Sequence, residues 1–92
     1  MQQTERVRVI YSGNVHGVGF RFTAERVALK SGVTGFAKNL PDGTVEIVGE
    51  GSRKDLRNFM ENIRHSMSAY ISDYNLEWES AEGKFSSFEI RF

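Results

Sequence analysis

The chain has 92 residues and a mass of 10.5 kDa, below the usual domain size of about 100 to 150 residues, so it is expected to form a single domain over residues 1–92. With 39% hydrophobic and 26% charged residues, and seven Phe, three Tyr and one Trp to fill an interior, it is predicted to be a folded soluble protein rather than a disordered one. Twelve Lys and Arg balance twelve Asp and Glu without clustering, which argues against a basic stripe for nucleic acid or a polybasic membrane patch. The absence of cysteine rules out disulfides, zinc thiolates and cysteine nucleophiles and suits the cytoplasm. Residues Met1 to Arg6 lack a signal-peptide profile, and no apolar run approaches the roughly 20 residues that cross a bilayer.

From Arg6 to Ser12, Val7, Val9 and Tyr11 alternate with Arg6 and Arg8, the period of a first strand. The segment Gly13-Asn14-Val15-His16-Gly17-Val18-Gly19 carries three glycines in seven positions and must be a loop. Phe20, Ala24, Val27 and Ala28 then recur at helical spacing, and Gly32 is placed to stop a helix over roughly 20–31. Val33 to Leu40 and Thr44 to Gly49 form two apolar-rich runs around Leu40-Pro41-Asp42-Gly43, the composition of a hairpin turn.

Ser52 with Asp55 three residues on resembles a capping box with a shorter acid, and Leu56, Phe59, Met60 and Ile63 define a second helix over about 53–66. Met67 to Ile71 is ambiguous. Tyr74, Leu76 and Trp78 alternate with polar residues, as do Phe88, Ile90 and Phe92, so two more strands are predicted. The order β-α-β-β-α-β plus a C-terminal strand is the split βαβ arrangement of the α+β ferredoxin-like class: an antiparallel sheet of four to five strands with two helices on one face. That fold hosts many functions, so the site must decide.

The glycine loop between a strand and a helix is suited to an anion, because loop N–H groups and the positive end of the helix can converge there. It lacks the Gly-Lys-Ser/Thr of a Walker A loop and the spacing of the dinucleotide pattern, which leaves ATP and NAD without support. Arg21 lies in the first helical turn, where the helix dipole disfavours a cation unless an anion is bound; the bland alternative is a solvated Arg or one paired with a nearby carboxylate. Asn39, just before the hairpin turn, is either a turn-capping amide or a group that holds a water through its carbonyl and amide.

Gly13-Asn14-Val15-His16-Gly17-Val18-Gly19-Phe20-Arg21 resembles the first signature of the acylphosphatase family, and Gly35 through Gly51 resembles the second, with Gly35-Phe36-Ala37-Lys38-Asn39, Gly43-Thr44-Val45 and Gly51 at its fixed positions. The element order and the C-terminal Phe88-Glu89-Ile90-Arg91-Phe92 also fit, so the resemblance covers nearly the whole chain. One departure is His16, where the family usually carries Gln; because the resemblance implies that the loop binds phosphate mainly through backbone N–H groups, this change should leave the cradle intact and add at most a modest pH dependence.

The resemblance implies hydrolysis of an acyl phosphate to a carboxylate and inorganic phosphate. It implies a phosphate cradle formed by Val15, His16, Gly17, Val18, Gly19, Phe20 and Arg21, with Arg21 and Asn39 catalytic and Asn39 holding the attacking water. No cofactor and no metal are implied: His16 and His65 lie on different elements, with no carboxylate at a ligand spacing. The serines lack a nucleophile-elbow context, and Tyr74, Leu76 and Trp78 are read as core.

The expected protein is thus a monomeric cytoplasmic enzyme acting on a small acyl phosphate, with neither nucleic acid nor membrane as partner. One alternative is a nonenzymatic anion- or RNA-binding module of the same fold, although Thr44 to Gly49 lacks the Lys/Arg-Gly-Phe run of an RNA-binding strand. Another is a carbamoyl-phosphate-handling domain within a maturation assembly; a start at Met1 and a finished last strand favour the free-standing enzyme.

Overall fold

The computed structural model describes residues 3–92; residues 1 and 2, the start of the stretch read above for a signal profile, lie outside them. In chain order the elements are β1 (Thr4–Gly13), α1 (Phe20–Ser31), β2 (Thr34–Asn39), β3 (Val45–Ser52), α2 (Arg53–Ser66), β4 (Ile71–Ser80) and β5 (Phe88–Arg91). The strands form one sheet in the order β4-β1-β3-β2-β5. Each long crossover skips a strand: β3 lies between β1 and β2, and β1 between β3 and β4, which is the split βαβ topology predicted from the sequence.

The first strand starts earlier than its alternation suggests because β3 continues to Ser52, where it still pairs with Thr4. The ambiguous segment after α2 resolves into a tight turn. Met67 N–H closes the helix on the Ile63 carbonyl, Tyr70 N–H returns to Met67, and β4 begins at Ile71. Ser52 caps α2 by accepting from the Asp55 N–H at 3.1 Å.

Strand pairing is antiparallel except at one edge, where β5 runs parallel to β2, a difference from the all-antiparallel sheet expected. The cause is the route of residues 81–87. They carry the chain from the β4 edge to the opposite edge, four strand spacings of about 4.8 Å or roughly 19 Å, within reach of seven extended residues. Having crossed the sheet, the chain can enter only beside β2, opposed to β4 and therefore parallel to its neighbour.

Both helices pack on one face. Phe20, Ala24, Val27 and Ala28 of α1 and Leu56, Phe59 and Ile63 of α2 are buried against Val7, Val9 and Tyr11 of β1, Val45 and Ile47 of β3, and Phe88 of β5. Phe59 meets Phe88 edge-on with ring centroids 5.7 Å apart. Burying each such side chain contributes about 1.5 to 3 kcal/mol.

The opposite face is held by charge and by the crossing segment. Glu50, only 3% exposed, accepts from the N–H groups of Glu82 at 2.8 Å and Gly83 at 3.0 Å. Arg6 reaches Glu82 at 2.7 Å and Glu79 at 3.5 Å, and Arg8 reaches Glu46 at 2.6 Å. Phe85 of the crossing segment packs on Phe36, centroids 6.0 Å apart.

Candidate functional site

The glycine loop emerges where β1 separates from β4: their register shifts between Ser12 and Gly13, and the Asn14 N–H then donates to the Tyr70 carbonyl at 2.9 Å. Val15 is buried in the core and pins the loop from below. Gly19 is the N-cap of α1 in left-handed conformation (φ 75°, ψ 25°), and Gly17 has φ 74°. Space does not demand glycine at either position, since nothing lies within 4 Å of where a Cβ would project. Backbone conformation does, because a side chain in that region costs roughly 1 to 2 kcal/mol.

This loop has an unusual consequence for the main chain. Among the described residues, none of the backbone N–H groups from Val15 through Phe22 finds a protein acceptor; the first helical bond is from Thr23 N–H to the Gly19 carbonyl at 3.0 Å. Helix starts normally leave a few such donors for a side-chain cap or a ligand. Here the cap residue has no side chain to offer, the first turn holds no acidic residue, and the donors extend back through the loop.

Val15, Gly17, Gly19, Phe20, Arg21, Phe22 and Asn39 line one depression of about 170 Å³. Arg21 has no carboxylate partner among the described residues. Instead its Nη1 donates to the Arg91 carbonyl at 2.9 Å, and its guanidinium lies 4.7 Å from the centre of the Phe92 ring. The C-terminal strand therefore orients Arg21 without neutralising it. Asn39 ends β2, paired with Val45, and its side-chain amide has no protein partner among the described residues, so both its donor and its acceptor are free.

Two of the residues singled out from sequence face elsewhere. The His16 side chain turns to the hairpin, its Nε2 lying 2.8 Å from the Thr44 carbonyl, and Val18 packs partly buried against the core. Only their main chains belong to the loop. Across the hairpin turn, Asp42 accepts from the Thr44 hydroxyl at 2.6 Å and the Thr44 N–H at 3.0 Å, and these bonds hold its carboxyl below the usual carboxylate range.

Three participants were missed. Phe22 is an exposed aromatic in the first helical turn, off the core stripe, and that mismatch is the signal that could have found it. The Thr44 carbonyl and the Arg91–Phe92 end leave no sequence signal, because their contacts span distant positions. Leu76 and Trp78 pack against the core as read, whereas Tyr74 is half exposed. Among the described residues no three His, Cys, Asp or Glu side chains gather where they could hold a metal ion, and no helix is long and apolar enough to cross a membrane.

A ferredoxin-like α+β sandwich with an unpaired run of loop and helix N–H groups beside an uncompensated Arg defines the class. The acylphosphatase family model matches residues 7–90. An acylphosphatase of Acidothermus cellulolyticus is 38% identical over 94 residues, covering 96% of this chain and 90% of that one. The crystal structure of acylphosphatase from Bacillus subtilis superposes with a TM-score of 0.88 at 31% identity, covering 96% of this chain and 99% of the other. Full-length HypF in its phosphate- and nucleotide-bound form matches 100% of this chain with 12% of its own, at 26% identity and a TM-score of 0.91. The chain belongs to the acylphosphatase family and is an acyl phosphate phosphohydrolase.

Proposed function

We propose that residues 1–92 act as one catalytic unit in which the loop Val15-His16-Gly17-Val18-Gly19-Phe20 and Arg21 hold the phosphoryl group of a small acyl phosphate while Asn39 holds the attacking water. The observation that carries this reading is the run of unpaired N–H groups from Val15 through Phe22, beside a guanidinium with no carboxylate partner. An anion of tetrahedral shape satisfies those donors, and the helix dipole adds to the attraction. Arg21 supplies a planar fork to the equatorial oxygens.

The reaction asks little more of the protein. Water attacks phosphorus in line, forming a P–O bond, while the bond from phosphorus to the acyl oxygen breaks and the carboxylate departs with its electron pair. A carboxylate leaves without protonation, and phosphoryl transfer through a loose transition state needs mainly positioning and charge stabilisation. Asn39 is neutral and cannot act as a base, so the water proton passes to a phosphoryl oxygen of the substrate. No cofactor or metal enters this scheme, and we assign the enzyme to the cytoplasm as a monomer.

A nucleic-acid platform is the weaker reading on one specific ground. The sheet face that would present aromatics to bases carries Glu46 and Glu50 on β3, paired with Arg8 and Arg6, and lies under the segment containing Phe85.

Inorganic phosphate tests the cradle directly. Its addition should move the backbone amide signals of Val15 through Phe22 in a saturable manner, with Arg21→Ala abolishing saturation; shifts spread over surface lysines would refute the assignment.

A further inference from the structure

A second cavity of about 410 Å³, bordered by Tyr11 and sharing no lining residue with the glycine-loop depression, opens between α2 and the edge strand β4. Tyr11, Tyr74 and Leu76 form its sheet wall; Met60 and the guanidiniums of Arg57 and Arg64 come from the helix. It exists because the sheet extends one strand beyond the cover of α2: Met60 is the last apolar residue on that side, and β4 keeps its inner face partly open. Its volume is in the range of small-molecule sites.

Two groups in it lack protein partners. Tyr11 is only 3% exposed as a residue; its hydroxyl has no protein hydrogen-bond partner among the described residues and is not sealed off, so it keeps solvent access where the residue borders the cavity. Burial, reinforced by Tyr74, pushes the Tyr11 phenol well above its ordinary value, so it stays protonated and able to donate. At the exposed mouth, Arg64 is engaged by both carboxylate oxygens of Glu61, whereas Arg57 forms no ion pair among the described residues. The two guanidiniums and one carboxylate leave one positive charge over an aromatic and aliphatic wall.

We infer that this cleft is a binding site for a small aromatic carboxylate with a polar atom opposite the acid group. The ring lies against Tyr74, Leu76 and Met60, the carboxylate meets Arg57 at the mouth, and the far polar atom accepts from the Tyr11 hydroxyl at the floor. This site is separate from the glycine loop and does not depend on the reaction assigned there. It is nevertheless in contact with it, because the Tyr11 and Phe20 ring centroids are 5.1 Å apart.

The test is a titration of the whole chain with 4-hydroxybenzoate, followed by backbone amide signals in the presence of inorganic phosphate. Saturable shifts are expected at Arg57, Glu61, Arg64, Tyr74 and Leu76. Benzoate, which lacks the far acceptor, and 4-hydroxybenzyl alcohol, which lacks the charge, should each bind about tenfold more weakly, the loss of one good hydrogen bond or ion contact. Arg57→Ala should erase the preference for acid over alcohol, and Tyr11→Phe the preference for 4-hydroxybenzoate over benzoate. The proposal is overturned by an absence of saturation, by shifts confined to residues 15–22, or by variants that keep both preferences. A folded amide spectrum for each variant separates lost binding from lost structure.

Discussion

His16 Nε2 lies 2.8 Å from the Thr44 carbonyl oxygen, the same oxygen that accepts the Leu40 N–H at 2.9 Å to close the hairpin turn. A carbonyl only accepts, so Nε2 carries the proton in this contact. The bond ties the glycine loop to the turn that follows Asn39, and thus fixes the two halves of the proposed site relative to each other.

A Gln side chain can donate to the same oxygen. His16→Gln should therefore keep turnover within a few-fold of wild type with a superimposable pH profile, while His16→Ala, which removes the clip, should raise KM more than it lowers kcat. Steady-state kinetics across pH checks both; loss of most activity in His16→Gln would show that the imidazole does something else.

Arg21 is oriented by the Arg91 carbonyl and the Phe92 ring. Losing one preorganised charge stabiliser costs about 10² to 10³ in rate, so Arg21→Ala should nearly abolish turnover. Arg21→Lys should remain poor because an ammonium lacks the planar fork. Phe92→Ala should give an intermediate loss, since the carbonyl contact survives; kcat/KM measured on the three variants tests this order.

Asn39→Ala should lower kcat strongly while leaving the inhibition constant for inorganic phosphate nearly unchanged, because it removes the water's holder and not the anion's. Substantial residual turnover would require a different group for the water.

Asp42 titrates below the usual Asp value of about 4 because the Thr44 hydroxyl, and then its N–H, bond to the ionised form. A depressed carboxyl contributes its stabilisation above its unfolded value and loses it as pH falls through the folded one. The acid-range movement of the Thr44 amide signal should accordingly have its midpoint below that of an unperturbed Asp; Asp42→Asn should abolish that movement, and a midpoint at or above the ordinary Asp value would contradict the assignment.

Glu50 anchors the segment that crosses the outer sheet face. Removing one partner of a buried charge pair costs about 3 to 5 kcal/mol, so Glu50→Ala should lower the free energy of unfolding by about 3 kcal/mol. Activity per folded molecule should be little changed, because the residue lies on the face opposite the helices. Denaturant melts paired with specific activity distinguish the two effects.

Short-range patterns carried most of the fold. The Phe20-Ala24-Val27-Ala28 stripe and the turn at Leu40 to Gly43 are set by local periodicity and turn chemistry, and both occur as predicted. Parallel pairing of β5 with β2 was not legible, since a strand's direction in a sheet depends on where the preceding segment crosses, and residues 81–87 carry no local mark of that. The loop glycines and Arg21 stood out because they break helix and strand preferences. What Arg21 touches did not, because Arg91 lies 70 residues away. Likewise Arg6 and Arg8 read simply as an outer face, while their carboxylate partners come from two other strands and a loop.

The most direct measurement is hydrolysis of a synthetic aryl acyl phosphate in the presence of a chelator, by wild type and by Arg21→Ala, with an aryl phosphomonoester as control substrate. The account predicts rapid, chelator-insensitive cleavage of the anhydride alone, lost in the variant. Equal cleavage by a folded Arg21→Ala protein, or no cleavage by folded wild type, would contradict it.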